Sequence, residues 1–114
     1  MNKLQVQETI TSLPLSQQVT LLVIFKMENI ERKDFSFLSS QLANELKPYV
    51  KKHLSVNQEE YGKFVGAVLS GLMRNKILIR LTGDRDKLWT LSKEVKENLD
   101  PIRKKLFEIK TYWN

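Results

Sequence analysis

Cysteine is absent from this chain, and histidine occurs once, as His53. Without thiols there is no disulfide framework and no thiolate metal site, and one imidazole builds no His/Cys metal cluster. The glycine fingerprints that cradle phosphates or dinucleotides are missing too. The longest fully apolar run, Leu21–Phe25, is far short of the ~20 residues that a membrane-spanning helix needs. The opening MNKLQVQETI lacks the apolar core of a secretory leader, so the cytoplasm is the expected compartment. Two carboxylate pairs occur, Glu59/Glu60 and Asp84/Asp86. At a helix start and in a turn, such acids act as dipole partners and turn formers. The residue inventory therefore points away from an enzyme and implies no cofactor and no metal.

What is present is charge of one sign. The 114 residues, the length of one domain, carry a net charge of +6 and a pI near 9.6. The segment from Lys47 to Lys87 holds nine Lys/Arg and four acids, which is +5 of that total. Basic charge concentrated in this way suits a polyanionic partner such as nucleic acid.

Hydropathy patterning predicts mostly helices. SLPLSQQVTLLVIFKMEN, from Ser12 to about Asn29, reads as a central buried helix capped by Ser12 or Ser16, with Pro14 in its first turn. Phe35 and Phe37 alternate around Ser36 in a brief strand. A second helix is expected from Leu38 to about Lys47, capped by Ser36, with Leu38, Leu42 and Leu46 at i, i+4, i+8. Pro48 disfavours helical geometry at Lys47 and should end or kink that helix. Asn57 with Glu60 forms a loose capping box for a third helix running to about Asn75. ILIRL and LWTL, around the polar turn TGDRDK, then predict a hairpin. Ser92 caps a last helical stretch, 92–114, in which Asp100–Pro101 marks either a kink or a fresh start.

The order helix, strand, helix, helix, hairpin, helix resembles the winged helix-turn-helix superfamily over roughly residues 15–99. FLSSQLANEL corresponds to the helix before recognition, and VGAVLSGLMRNKILIRL…LWTLSKEVKENL to recognition helix, wing and closing helix. The resemblance implies one mainly helical α+β domain over 1–114, with a two-stranded wing and a carboxyl-terminal helical extension. It also implies that the third helix enters a major groove through its amino-terminal half. Asn57, Gln58, Tyr61 and Lys63 would then lie nearest the bases, where Asn and Gln can pair with adenine and Lys with guanine. Lys51, Lys52 and His53, in the turn before that helix, would contact phosphates. So would Arg80, Arg85 and Lys87 on or beside the hairpin. Trp89 is expected to pack the hairpin onto the core.

Three of the four glycines, Gly62, Gly66 and Gly71, lie in EEYGKFVGAVLSGLMR, although each costs a helix roughly 0.8–1 kcal/mol against alanine. On a helical wheel, Tyr61, Phe64, Val65, Val68, Leu69 and Leu72 form the inward arc. Gly62 and Gly71 fall at its edges, which predicts close approach of neighbouring helices. Gly66 faces outward with Glu59, Lys63, Ala67, Ser70 and Arg74, a low-profile face that a phosphate backbone or a groove wall could approach.

In the last helix, Val95, Leu99, Ile102, Leu106, Ile109 and Trp113 follow heptad spacing. A narrow seam of this kind suits pairing with a second copy, so a homodimer on a two-fold DNA site is expected. The reading from sequence is therefore a double-stranded DNA-binding transcriptional regulator with no membrane association. The alternative is a winged-helix adaptor that uses the third-helix face for a protein partner. Single-stranded DNA or RNA is a third possible ligand for the same basic surface.

Overall fold

The described residues open with a helix that the hydropathy pattern does not reveal. In the computed structural model, which describes residues 3–81 and 87–113, α1 spans Lys3–Ser12. Its inward positions are Val6 and Ile10, followed by the buried Leu13. Thr9, Thr11 and Ser12 turn their hydroxyls back onto the carbonyls of Gln5, Gln7 and Glu8. Residues with hydroxyls that compete for the backbone have modest helix propensity, so tertiary packing of Val6 and Ile10 holds α1 in place. Helix α2, Leu15–Phe25, follows an uncapped start at Pro14 rather than a serine cap. All seven residues from Val19 to Phe25 are buried, as expected of a central helix surrounded on every side.

A two-residue strand β1, Phe37–Leu38, leads directly into α3, Ser39–His53. Two expectations are corrected here. The residue preceding α3 is Leu38, with no side-chain cap, instead of Ser36. The helix also runs through Pro48 instead of ending at Lys47. Leu42, Leu46 and Val50 are all buried, so the apolar i, i+4, i+8 stripe continues past the proline. Burial of Val50 outweighs the local bias against helix at Lys47 and the one N–H that proline lacks.

Gln58–Glu60 forms a short 3-10 turn, and α4, Tyr61–Arg74, continues from it. Asn57 accepts a hydrogen bond from the backbone N–H of Glu59 (3.2 Å), so it caps this turn. The hairpin consists of β2, Leu78–Leu81, and β3, Leu88–Leu91. β3 is central in a three-stranded antiparallel sheet of order β1-β3-β2, with Phe37 opposite Trp89 and Leu78 opposite Leu91. Trp89 is buried, and its Nε1 donates to Ser39 Oγ (2.8 Å), which fastens the hairpin to the start of α3.

Ser92 caps the next helix, accepting from Val95 N–H. That helix, α5, is only Lys93–Lys96, and α6 restarts at Leu99–Lys110 with Pro101 in its first turn. The heptad register therefore does not lie on one continuous helix. Val95, Ile102 and Leu106 are buried in the domain's own core, and Leu99, Ile109 and Trp113 pack against it. α6 lies against α1 and α2, so the expected intermolecular seam is covered within the chain. The missed α1 is the physical reason: it supplies the partner surface that the heptad pattern requires.

The glycines also need one correction. Of the three described glycines only Gly71 is buried, and a Cβ there would collide with the side-chain amide of Gln17 on α2. Gln17 Oε1 in turn accepts from Asn75 Nδ2 (2.8 Å). A Cβ on Gly62 would meet nothing within 4 Å, so Gly62 mediates no close helix contact and belongs with Gly66 on the open side.

Candidate nucleic-acid interface

The outward side of α4 carries Gly62, Lys63, Gly66, Ala67, Met73 and Arg74, all exposed, with Ser70 half-buried between them. Helix geometry puts Lys63 and Arg74, eleven positions apart, within about 20° of each other and about 16 Å apart along the axis. Between these cations the helix surface is nearly bare backbone. Gly66, like Gly62, has open space where a Cβ would stand.

Gly62 and Gly66 also form one wall of a groove of about 300 Å³. Ser39, Ser40 and Ala43 of α3 form the opposite wall, Val65, Leu69 and Trp89 contribute apolar lining, and Lys87 stands at the sheet side. The structure thus brings together the start of α3, the outward glycines and the base of the hairpin. The sequence pattern does not single out Ser39 and Ser40, which carry no motif of their own beside the cap expected at Ser36. Their position follows only once β1 pairs with β3.

The other expected contact residues are placed as follows. Lys51, Lys52 and His53 form the last turn of α3 rather than a loop. There, cations are favourable for the helix dipole. His53 meets the edge of Trp113, with ring centroids 5.5 Å apart. From Ser40 to Lys52 the helix rises about 18 Å, so this pair stands at the far end of α3 from the groove. Asn57 is engaged as a cap, and Gln58 is exposed. Arg80 is exposed on β2, opposite Trp89 in register. Arg85 lies outside the described residues.

Tyr61 is committed to the fold. Its hydroxyl donates to the Ala43 carbonyl of α3 (2.6 Å), and its ring stacks near Phe64. It therefore sets the spacing of α3 and α4 instead of pointing at a ligand. Burial pushes the phenol pKa up. A group whose pKa is raised on folding contributes fully below its unfolded value, about 10 for tyrosine, and loses that contribution as pH climbs through the folded value. Tyr61→Phe is expected to cost about 1 kcal/mol near neutral pH from the lost hydrogen bond. It should also remove one component of alkaline destabilisation. Urea unfolding of both proteins at about pH 8 and about pH 10.5 checks both parts.

Eight described cations between Lys47 and Lys87 (Lys47, Lys51, Lys52, Lys63, Arg74, Lys76, Arg80 and Lys87) are exposed. None forms an ion pair with a described residue. The ion pairs among described residues lie elsewhere, at Arg32–Asp34, Arg103 with Glu31 and Asp100, and Lys105–Glu108. Glu59 and Glu60, exposed on the 3-10 turn, are the only described acids in the segment. No described group of three or more His, Cys, Asp or Glu side chains could hold a metal ion, and no described helix is long and apolar enough to cross a membrane.

Compared with known proteins, the chain matches no family model, no curated protein and no solved structure.

Proposed function

We propose that this chain is a winged-helix protein that binds double-stranded DNA in the cytoplasm, with α4 as the recognition helix and the β2–β3 hairpin as the wing. The observation that carries this reading is the set of eight exposed cations that no described acid neutralises. Charges that no described acid pairs, gathered over one stretch of chain, suit a ligand that supplies many phosphates at once. The order α2, β1, α3, α4, β2, β3 supports the winged-helix part, and the mechanism is binding without chemistry. Lys63, Arg74, Arg80 and Lys87 neutralise backbone phosphates, while the bare strip of α4 lets the groove wall come close. With Asn57 engaged as a cap and Tyr61 bonded to Ala43, Gln58 and Lys63 are the side chains left to read bases from the start of α4.

The glycines provide the test. Neither Gly62 nor Gly66 is needed by the fold, so Gly62→Ala and Gly66→Ala are each expected to raise stability by roughly 0.8–1 kcal/mol. The double variant should nevertheless bind duplex DNA more weakly than the wild type, because two methyl groups hold the helix off the groove wall. Gel shifts with duplex, single-stranded DNA and RNA, paired with thermal melts, measure both effects. Tighter binding by the stabilised variant would contradict this role for the α4 face.

The apolar lining of the groove, Val65, Leu69 and Trp89 beneath the two glycines, favours a second reading in which a protein side chain docks there. In that case binding would depend little on salt, and duplex DNA would not compete.

A further inference from the structure

Among the described residues, two that are not glycine have left-handed backbone conformations, Asn29 with φ of 64° and Lys76 with φ of 61°. Asparagine tolerates this region through local hydrogen bonds, but lysine has no such compensation. Lys76 sits immediately after α4, where Ile77 N–H donates to the Leu72 carbonyl (2.9 Å) and Lys76 N–H to the Met73 carbonyl (3.0 Å). This pair of bonds defines a Schellman cap, and the left-handed position within it is the one that glycine usually fills. Leu72 and Ile77, the two apolar partners of the cap, are both buried.

The fold gains nothing visible from a lysine at this position. Its side chain is exposed and forms no hydrogen bond or ion pair with a described residue. Favourable interaction with the helix dipole is already supplied by Arg74 in the last turn. The cap does confer rigidity, because the backbone on either side is bonded and its apolar ends are buried. A cation presented from an immobile junction loses less freedom on meeting a phosphate than one on a loose loop.

We propose that Lys76 is a phosphate-contact residue of the duplex interface, presented at the end of α4 by a left-handed cap that would otherwise favour glycine. This rests on the DNA-binding reading above. Lys76 lies between α4, which carries the exposed Lys63 and Arg74, and β2, which carries the exposed Arg80, at the corner where helix passes into hairpin.

Lys76→Gly, Lys76→Asn and Lys76→Arg, measured by fluorescence anisotropy on a random-sequence duplex, test it. Loss of one phosphate contact should weaken binding about 15-fold at ~50 mM salt and make the log–log salt slope shallower by about 0.9. Lys76→Gly and Lys76→Asn should both show this, and since asparagine fits the left-handed backbone, the loss is one of charge. Lys76→Arg should stay within about twofold of wild type, since it keeps the charge. In denaturant, Lys76→Gly should lower the unfolding constant about tenfold, as strain is relieved. Unchanged affinity and slope for Lys76→Gly, while the wild type binds duplex, would overturn this role alone. So would a Lys76→Gly protein no more stable than the wild type. A wild type that binds no duplex would overturn the DNA-binding reading together with it.

Discussion

Replacing Lys63, Arg74 and Lys87 together by glutamine is expected to weaken duplex binding about 3 × 10³-fold at ~50 mM salt and about 80-fold at ~200 mM. Each neutralised phosphate contributes about 0.9 to the log–log salt slope, so three lost contacts lower it by about 2.7 when electrostatic contributions vanish near 1 M. The convergence of wild type and variant as salt rises is therefore as informative as the loss itself. All three side chains are exposed and form no ion pair with a described residue, so the melting temperature should barely move. Affinity titrations at four or more salt concentrations, on two unrelated duplex sequences, supply the measurement. A loss that is the same at every salt concentration, or confined to one sequence, would show that these cations do not act as phosphate contacts.

The second large effect concerns stability. Leu106 is fully buried where α6 lies on the core, and Leu106→Ala is expected to destabilise the protein by about 2–5 kcal/mol. The effect should be independent of protein concentration, because the atoms that pack on Leu106 belong to the same chain. An intermolecular seam would behave differently: the variant would keep a folded monomer, and the deficit would vanish at low concentration, where both proteins are monomeric, and grow as concentration rose. Chemical unfolding at two concentrations a hundredfold apart separates the two cases. A concentration-dependent deficit would restore the heptad residues Val95, Leu99, Ile102, Leu106, Ile109 and Trp113 to a dimer contact.

Much of the element order was legible because it rests on local periodicity. The central helix, the inward arc of α4, the hairpin and the Ser92 cap all follow from residue spacing, which the chain cannot disguise. The run through Pro48 was not legible, since local preference at Lys47 pointed the other way and the deciding contact, burial of Val50, is tertiary. The hydroxyl-rich α1 was missed for a related reason: its propensity is weak, and its partner α6 lies about a hundred residues away in sequence.

For the candidate site the division is similar. Composition located the basic segment, and a helical wheel put Lys63, Gly66, Ala67, Ser70 and Arg74 on one outward face of α4. Neither could show that Tyr61 would bond Ala43 or that His53 would rest on Trp113. Both depend on which helices become neighbours. The left-handed conformation of Lys76 likewise carries no mark in the sequence, because its cap is defined by backbone bonds to Leu72 and Met73.

By itself, then, the amino-acid sequence determined most of the helical and extended segments from Ser12 onward, which faces are apolar and where positive charge accumulates. These properties depend on residues within a few positions of one another. Tertiary structure alone decided which apolar faces are already covered, moving the heptad residues of α5 and α6 inside the domain and leaving Gly62 and Gly66 open to solvent. The reason is that a hydrophobic stripe specifies only that something must bury it. Which element does so depends on chain connectivity and shape, and here α1 and α2 reach α6 before any second molecule is needed.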